Sequence, residues 1–247
     1  MRYNSPMNRR LLLAAVIVIG AVVGVATYAT RSLRPALGRT AHLREWLASP
    51  QAHPEWALQA GTRCGSAPFV MPTNGFVAYL WDDLFSGGHR HQGVDIFGGR
   101  GADRTPVVAA YPGYLTRLPG WKSAVIERIP SDPLEPGRQI WLYYTHMADP
   151  AGNSFISDKF PPGTAEAFVD AGTLLGYQGD YTGDPNSPTG VHLHFSIVKD
   201  DGRGGFLSEL DIHNTYDPSP YLGLALNADM SDGGVVVCGA EIQGIDN

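Results

Sequence analysis

The stretch HLHFSIV, residues 192–198, decides the fold class of this chain. Its polar and apolar residues alternate, which is the period of a β-strand whose two faces meet different surroundings. Such a strand turns His192 and His194 to one side and turns Leu193 and Phe195 to the other, where they can pack in a core. The pattern therefore predicts a rigid strand that presents two imidazoles side by side.

Short apolar runs of the same kind recur from Gly61 onward. The 247 residues include 30 Gly and 19 Pro without a collagen-like or low-complexity period. Runs rich in β-branched and aromatic residues between turn formers indicate a meandering all-β domain rather than βαβ units. The other predicted strands are Gly75–Leu80, Pro106–Ala110, Gly113–Leu118, Ala124–Ile129, Gln139–Tyr144 and Thr173–Tyr177. We expect a hairpin loop at Ser131–Gly137 and at most one helical turn at Thr164–Asp170, within a longer excursion over Ala148–Ala171.

An apolar segment lies near the amino terminus. Leu11–Ala29 is nineteen residues long and carries no charge. A helix of that length spans roughly 28 Å, close to the hydrocarbon thickness of a bilayer. We predict an uncleaved transmembrane signal anchor within residues 1–30. A cleaved signal peptide is the alternative, although its apolar region is usually roughly 7–15 residues long. A buried core helix fits poorly because the segment lacks a polar face.

Charge is distributed unevenly along the chain. The first 40 residues contain six arginines and no acid, whereas the remainder contains 12 basic and 24 acidic side chains. So acidic a remainder excludes nucleic acid as a partner. We expect residues 31–60 to form a juxtamembrane spacer with one short helix around Ala41–Ala48, and residues 61–247 to form the folded domain.

Two further segments carry histidines in informative positions. Residues 89–95 read HRHQGVD, with His91 and Asp95 four positions apart and Gly93 between them. In an extended or turned segment, even spacing puts both side chains on one face, and glycine permits a close backbone approach. A separate apolar strand ends at His146.

These residue types suit a zinc site. Two histidines and one carboxylate leave a fourth position open for water, whose pKa zinc lowers to about 7. Histidines that are not ligands can then carry protons. Spacing alone does not decide which residues bind the metal, because His89 also lies near Asp95. Each of the three segments taken separately has an alternative interpretation, as ordinary surface or core histidines, and that alternative weakens sharply because all three occur in one β domain.

Together, the motif HxxxD at His91–Asp95, the motif HxH at His192–His194 and the intervening His146 resemble the M23 (LytM/lysostaphin-like) zinc endopeptidases of bacterial cell walls. The resemblance covers about residues 68–200 and consists of separated blocks in the order found in that family. The supporting blocks are Pro72–Gly75, Thr105–Ala110, Ala171–Gly179 and Thr189–Phe195.

The resemblance implies an antiparallel M23-like (LytM-type) β-sheet domain with Zn²⁺ bound by His91, Asp95 and His194. It further implies that His146 and His192 are catalytic. We expect His192 to be the general base and His146 the donor to the oxyanion, with the reverse assignment open. The implied substrate is peptidoglycan, cut in its peptide stems or cross-links.

A substrate outside the cytoplasm would orient the anchor with Met1 inside. The protein would then be a single-pass plasma-membrane protein, or a secreted one if the segment is cleaved. The alternative function is a non-catalytic or partner-activated LytM-like module that binds wall peptides and regulates another hydrolase, although such modules typically lack ligands that are present here. A carboxypeptidase or amidase acting on the same polymer is a third hypothesis. The insertions beside the groove leave the cut bond open.

The tail beyond about Asp200 lies outside the resemblance. We expect its run Tyr221–Leu226 to pack on the sheet. Cys64 and Cys238 lie on either side of the region with the histidines. Outside the membrane they would pair and tie the tail to the domain entrance, whereas two buried free thiols are the alternative.

Overall fold

The computed structural model describes residues 38–85, 88–99, 101–228 and 233–239. Within them the fold is mostly antiparallel β-sheet with few helices, in agreement with the all-β prediction. The strands are β1 (Phe76–Tyr79), β2 (Val94–Phe97), β3 (Pro106–Val108), β4 (Gly113–Thr116), β5 (Val125–Ile129), β6 (Ile140–Thr145), β7 (Ala167–Val169), β8 (Leu174–Tyr177), β9 (Leu193–Lys199) and β10 (Thr215–Tyr216). The α-helices are α1, residues 38–48, and α2, Ser219–Leu222. Short 3₁₀ turns occupy Pro50–Ala52, Pro54–Trp56 and Ile212–Asn214.

The main sheet brings distant parts of the chain side by side. Its strand order is β1-β2-β9-β6-β5-β4-β7, with β10 paired to β9, while β3 and β8 form a separate two-stranded ribbon. Across β2 and β9, Asp95 is the partner of His194. Across β6 and β9, Thr145 is the partner of the same histidine. The register of three adjacent strands therefore gathers the predicted site residues at one place on the sheet.

The two faces of β9 differ as the alternation in its sequence predicts. Leu193, Phe195 and Ile197 are fully buried in the hydrophobic core. His194 and Ser196 point to the opposite face, because successive side chains of a strand alternate. The core thus holds the strand in register while its other face carries the polar chemistry.

Each of the seven runs predicted as a strand contains one, with each end within two residues of the predicted one. The helical turn predicted within Thr164–Asp170 is wrong, because β7 forms there and pairs with β4 at the edge of the sheet. So short a strand has no usable periodicity, and its extended form depends on that pairing. Strand β2 was not among the predicted strands: it is only four residues long, and all four, including the polar Asp95, are buried.

Helix α1 confirms the short helix predicted around Ala41–Ala48, and it packs on the domain. Leu43 and Trp46, three positions apart on one helix face, are buried with Phe76 and Phe97. The indole of Trp46 stacks on the Phe76 ring at 6.0 Å between centroids. The described part of the predicted spacer is therefore in contact with the sheet.

A buried ion pair joins α1 to the loop after β1. Arg39 and Asp83 are 0% and 2% exposed, and the guanidinium pairs with the carboxylate. Arg39 Nε also donates to the carbonyl of Ala78 at 3.1 Å. Asp83 in turn accepts a hydrogen bond of 2.7 Å from the backbone N–H of Leu80. The pair fixes where α1 sits.

The tail also packs as expected. Tyr221 and Leu222 are buried in the main core. Cys64 and Cys238 form a disulfide across 174 positions, so the expected pairing is confirmed. The loop Ser131–Gly137 joins the paired strands β5 and β6, as predicted. No helix among the described residues is long and apolar enough to cross a membrane, and the predicted anchor Leu11–Ala29 lies outside those residues.

Candidate metal centre

Three side chains, from the adjacent strands β2 and β9 and from the segment just before β2, converge on one point. His91 Nε2 lies 3.0 Å from Asp95 Oδ1 and 3.0 Å from His194 Nδ1, and His194 Nδ1 lies 2.8 Å from Asp95 Oδ1. All three residues are buried. Ligand atoms on one tetrahedral zinc are roughly 3.3 Å apart, so this triangle has nearly the dimensions of such a site.

The outer hydrogen bonds of both imidazoles decide which nitrogens face the triangle. His91 Nδ1 lies 3.0 Å from the carbonyl oxygen of Leu80, and His194 Nε2 lies 2.8 Å from a carboxylate oxygen of Glu209. Carbonyl and carboxylate oxygens only accept, so these nitrogens carry the protons. In the neutral imidazoles the lone pairs of His91 Nε2 and His194 Nδ1 then point at Asp95. Such an arrangement is typical of metal-binding histidines.

Two more imidazoles border the same cleft. His192 Nδ1 donates to the carbonyl of Gly190 at 2.8 Å, and its Nε2 lies 3.6 Å from Asp95 Oδ1. His146 Nδ1 donates to the carbonyl of Tyr181 at 2.7 Å. The ring centroids of His146 and His192 are 4.6 Å apart. Each of these histidines therefore keeps Nε2 as a proton acceptor, and all five predicted site residues lie together.

The backbone around the site depends on close approaches. A Cβ on Gly93 would lie 2.3 Å from the carbonyl oxygen of Phe195, so this glycine serves the contact between β2 and β9. A Cβ on Gly179 would lie 2.1 Å from the carbonyl oxygen of Ala148. His146 itself has φ of 70°, a left-handed conformation uncommon outside glycine. Such strain is often found at functional sites.

The electrostatics of the triangle favour a positive charge at its centre. Burial alone would raise the pKa of Asp95, but the neighbouring His91, His192 and His194 hold it well below its usual value. Burial alone would lower the pKa of His194, but its hydrogen bonds to Asp95 and Glu209 raise it to about 10. Two carboxylates around one imidazole thus attract a cation, either a proton or a metal ion.

The pKa values of the two outer histidines, His146 and His192, shift in the opposite direction to that of His194. Burial, together with the adjacent His192 and His194, lowers the pKa of His146 to about 3. Burial also lowers the pKa of His192, against the attraction of Asp95. Both imidazoles are therefore neutral near neutral pH and able to accept a proton.

The site opens into a cleft of about 410 Å³. Its lining includes Tyr143, Tyr181, Glu209 and Leu210, none of which stands out in the sequence. No local sequence pattern indicates Glu209 as a site residue, because it lies fifteen positions after His194 and contacts it only where the loop after β9 folds back over the strand.

Two neighbouring residues lie apart from the triangle: His89, a candidate ligand because of its spacing from Asp95, and Tyr144, at the end of a predicted strand. His89 is exposed at the rim of the cleft, with its ring stacked on Phe85 at 6.1 Å, and does not join the three converging side chains. Tyr144 is fully buried, and its hydroxyl donates to Glu127 at 2.8 Å. It therefore packs in the core and does not line the groove.

Comparison with known proteins finds likeness only among solved structures. No family model and no curated protein matches the chain. The catalytic domain of lysostaphin from Staphylococcus simulans is 22% identical, with a TM-score of 0.37 and coverage of 60% of this chain and 88% of that one. The catalytic domain of the prophage-encoded M23 protein EnpA from Enterococcus faecalis is 21% identical, with a TM-score of 0.36 and coverage of 59% and 91%. LytU is 23% identical, with a TM-score of 0.36 and coverage of 64% and 85%. These scores are too low to assign the family.

Proposed function

We propose that this protein is a zinc-dependent, M23-like endopeptidase that hydrolyses peptide bonds of bacterial peptidoglycan. One observation carries the proposal. Ring nitrogens of His91 and His194 meet the carboxylate of Asp95 within 3.0 Å, inside a cleft that also holds the neutral imidazoles of His146 and His192. The donor set, its burial and its outer hydrogen bonds all fit a zinc ion.

The site residues divide into holders and proton carriers. His91, Asp95 and His194 would hold the ion, which supplies Lewis-acid chemistry by polarising a carbonyl group and making water acidic enough to attack it. His192 and His146 keep Nε2 free to accept a proton or, once protonated, to donate one to the oxyanion or leaving amine. The hydrogen bonds to Gly190 and Tyr181 orient these two rings. We assign His192 as the general base because its Nε2 lies 3.6 Å from Oδ1 of Asp95, at the edge of the triangle.

The substrate class and location follow from other features of the chain. The ordered motif blocks over about residues 68–200 support peptidoglycan peptides as the substrate. The disulfide between Cys64 and Cys238 supports an oxidising compartment. We therefore propose a domain on the extracytoplasmic side of the plasma membrane, held there by the apolar segment Leu11–Ala29 or secreted after its removal.

The test uses the full chain, purified in mild detergent, stripped of metal and reloaded with zinc. It is incubated with purified peptidoglycan, and mass spectrometry identifies the released fragments. We expect new amino termini within peptide stems or bridges with zinc and none without it. His194→Ala should abolish the cleavage, whereas the matched His213→Ala, which changes an exposed histidine, should retain it.

Three results would overturn the proposal in different ways. A chain that binds no zinc would rule out the metal site. Zinc binding with intact peptidoglycan would favour a regulatory or partner-activated module. Fragments that end at the bond between sugar and peptide would indicate an amidase, and release of a single terminal residue would indicate a carboxypeptidase.

A further inference from the structure

Glu209 lies where no motif predicts a functional residue. It belongs to the loop between β9 and β10, in the tail outside the stretch that resembles the M23 family. Its side chain is 15% exposed, and Oε1 accepts a 2.8 Å hydrogen bond from His194 Nε2. The hydroxyl of Ser196, two residues along β9, donates to the same oxygen at 3.2 Å. The carboxylate is thus held from two sides at the outer edge of the triangle.

We propose that Glu209 is a positioning residue that sets the affinity of the site for its metal through His194. This inference rests on the proposed function, because it requires zinc at His91, Asp95 and His194. By accepting the proton of Nε2, the carboxylate leaves the lone pair of Nδ1 for the metal and prevents rotation of the ring. It also makes the imidazole a stronger electron donor, as outer carboxylates do for other metal-binding histidines.

Charge balance gives Glu209 a second effect. A divalent ion held by Asp95 and two neutral imidazoles leaves one uncompensated positive charge in a buried site, which is costly. The carboxylate of Glu209 lies against this site, with Oε1 2.8 Å from His194 Nε2. Its negative charge completes the neutralisation without occupying a ligand position. The position needed for water therefore stays open.

The loop that carries Glu209 is anchored to strands β6 and β9 and to the segment just before β2. Gln92, next to His91, donates through Nε2 to the carbonyl of Leu210 at 3.0 Å. Further back along the loop, the Phe206 ring packs against that of Trp141 on β6 at 5.4 Å. Ser196 supplies the third attachment from β9. With these anchors, the loop holds Glu209 against His194 before any metal arrives.

The experiment measures zinc affinity rather than activity. The full chain and its variants Glu209→Gln and Glu209→Ala are stripped of metal and titrated with zinc against a competing chelator. We expect Glu209→Ala to weaken binding by about 10–100-fold. Glu209→Gln should weaken it less, because the amide oxygen still accepts the hydrogen bond but carries no charge. The matched control Glu135→Gln alters an exposed carboxylate in the loop Ser131–Gly137 and should bind zinc as the wild type does.

A second readout separates positioning from a merely structural role. Cobalt replaces zinc in the same proteins, and the visible absorption of the bound ion reports the ligand geometry. We expect the spectrum to change in Glu209→Ala and to stay unchanged in Glu135→Gln. Thermal unfolding of the metal-free chains shows whether stability alone has changed.

The outcomes distinguish this inference from the proposed function. Equal zinc affinities and equal cobalt spectra in wild type and both Glu209 variants would overturn the inference and leave the proposed function standing. A lower unfolding temperature with unchanged metal affinity would also overturn it, because the role would then be structural. Failure of the wild type to bind zinc would overturn both.

Discussion

Glu127 is a buried carboxyl whose ionisation should set the pH dependence of stability. It lies on β5 in the core and is fully buried. Oε2 accepts a 2.8 Å hydrogen bond from the hydroxyl of Tyr144, the residue two before His146, while Oε1 has no hydrogen-bond partner. Burial raises the pKa of Glu127 from 4.5 to about 8, against the smaller lowering effect of Tyr144.

The sign and size of the effect follow from these two pKa values. In the unfolded chain the carboxyl loses its proton near pH 4.5, whereas in the folded chain it keeps the proton until about pH 8. Between these values the unfolded state binds fewer protons, so the free energy of unfolding falls as the pH rises. Each unit of pKa difference is worth 1.36 kcal/mol, which gives a loss of about 5 kcal/mol across the window. Above pH 8 the contribution is constant.

The test substitution is Glu127→Gln, which keeps the shape of the side chain and replaces the ionisable carboxyl group with an amide that does not titrate. Urea unfolding of the full chain, followed by tryptophan fluorescence with the disulfide intact, gives the free energy of unfolding at pH 5, 6, 7 and 8. We expect the wild type to lose stability relative to Glu127→Gln as the pH rises, by most of the predicted 5 kcal/mol. Effects of other titrating groups cancel in the difference.

Glu135→Gln is the control for this comparison, because its carboxylate is exposed. Its curve should run parallel to that of the wild type. If the curves of wild type and Glu127→Gln were also parallel from pH 5 to pH 8, Glu127 would be ionised in the folded chain and the reasoning would be refuted.

Further predictions concern the metal site and its supports. His194→Ala should lose zinc and activity together, whereas His146→Ala should keep zinc and lower turnover by about 10²–10⁴-fold; full turnover in His146→Ala would contradict its catalytic role. Arg39→Ala leaves the buried carboxylate of Asp83 without its ion-pair partner and should lower the free energy of unfolding by about 3–5 kcal/mol, as measured by urea unfolding. An unchanged urea midpoint would contradict this prediction. Gly93→Ala places a Cβ 2.3 Å from a carbonyl oxygen of β9 and should destabilise the domain by about 1–3 kcal/mol and weaken zinc binding in a chelator titration. An unaltered zinc affinity of Gly93→Ala would mean that the backbone shifts without moving His91 and Asp95.

The local features of this domain could be predicted because they depend on short-range periodicity. The alternation in β9 placed Leu193 and Phe195 in the core and both histidines on the other face, as the structure has them. The even spacing of His91 and Asp95 likewise put two donors on one side. Turn formers marked the ends of the strands to within two residues.

Some local features could not be predicted, because pairing decides them. The three residues of β7 become a strand only through hydrogen bonds to β4. Strand β2 is only four residues long and lies between β1 and β9 with every residue buried, Asp95 included, so its extended form depends on those two pairings. The role of Gly93 is also tertiary, since the backbone that it approaches belongs to Phe195 on another strand.

The sequence by itself determined the strand period, the all-β class and the residue types able to bind a metal. Only the tertiary structure decided which donors share a site, because the strand order β2-β9-β6 and its register set Asp95 opposite His194 with His146 at the adjacent strand end. It also decided that Glu209 reaches His194 and that Arg39 docks α1 on the domain. The physical reason is that these contacts join residues distant in sequence through packing and hydrogen bonding. A local sequence pattern carries no information about such contacts.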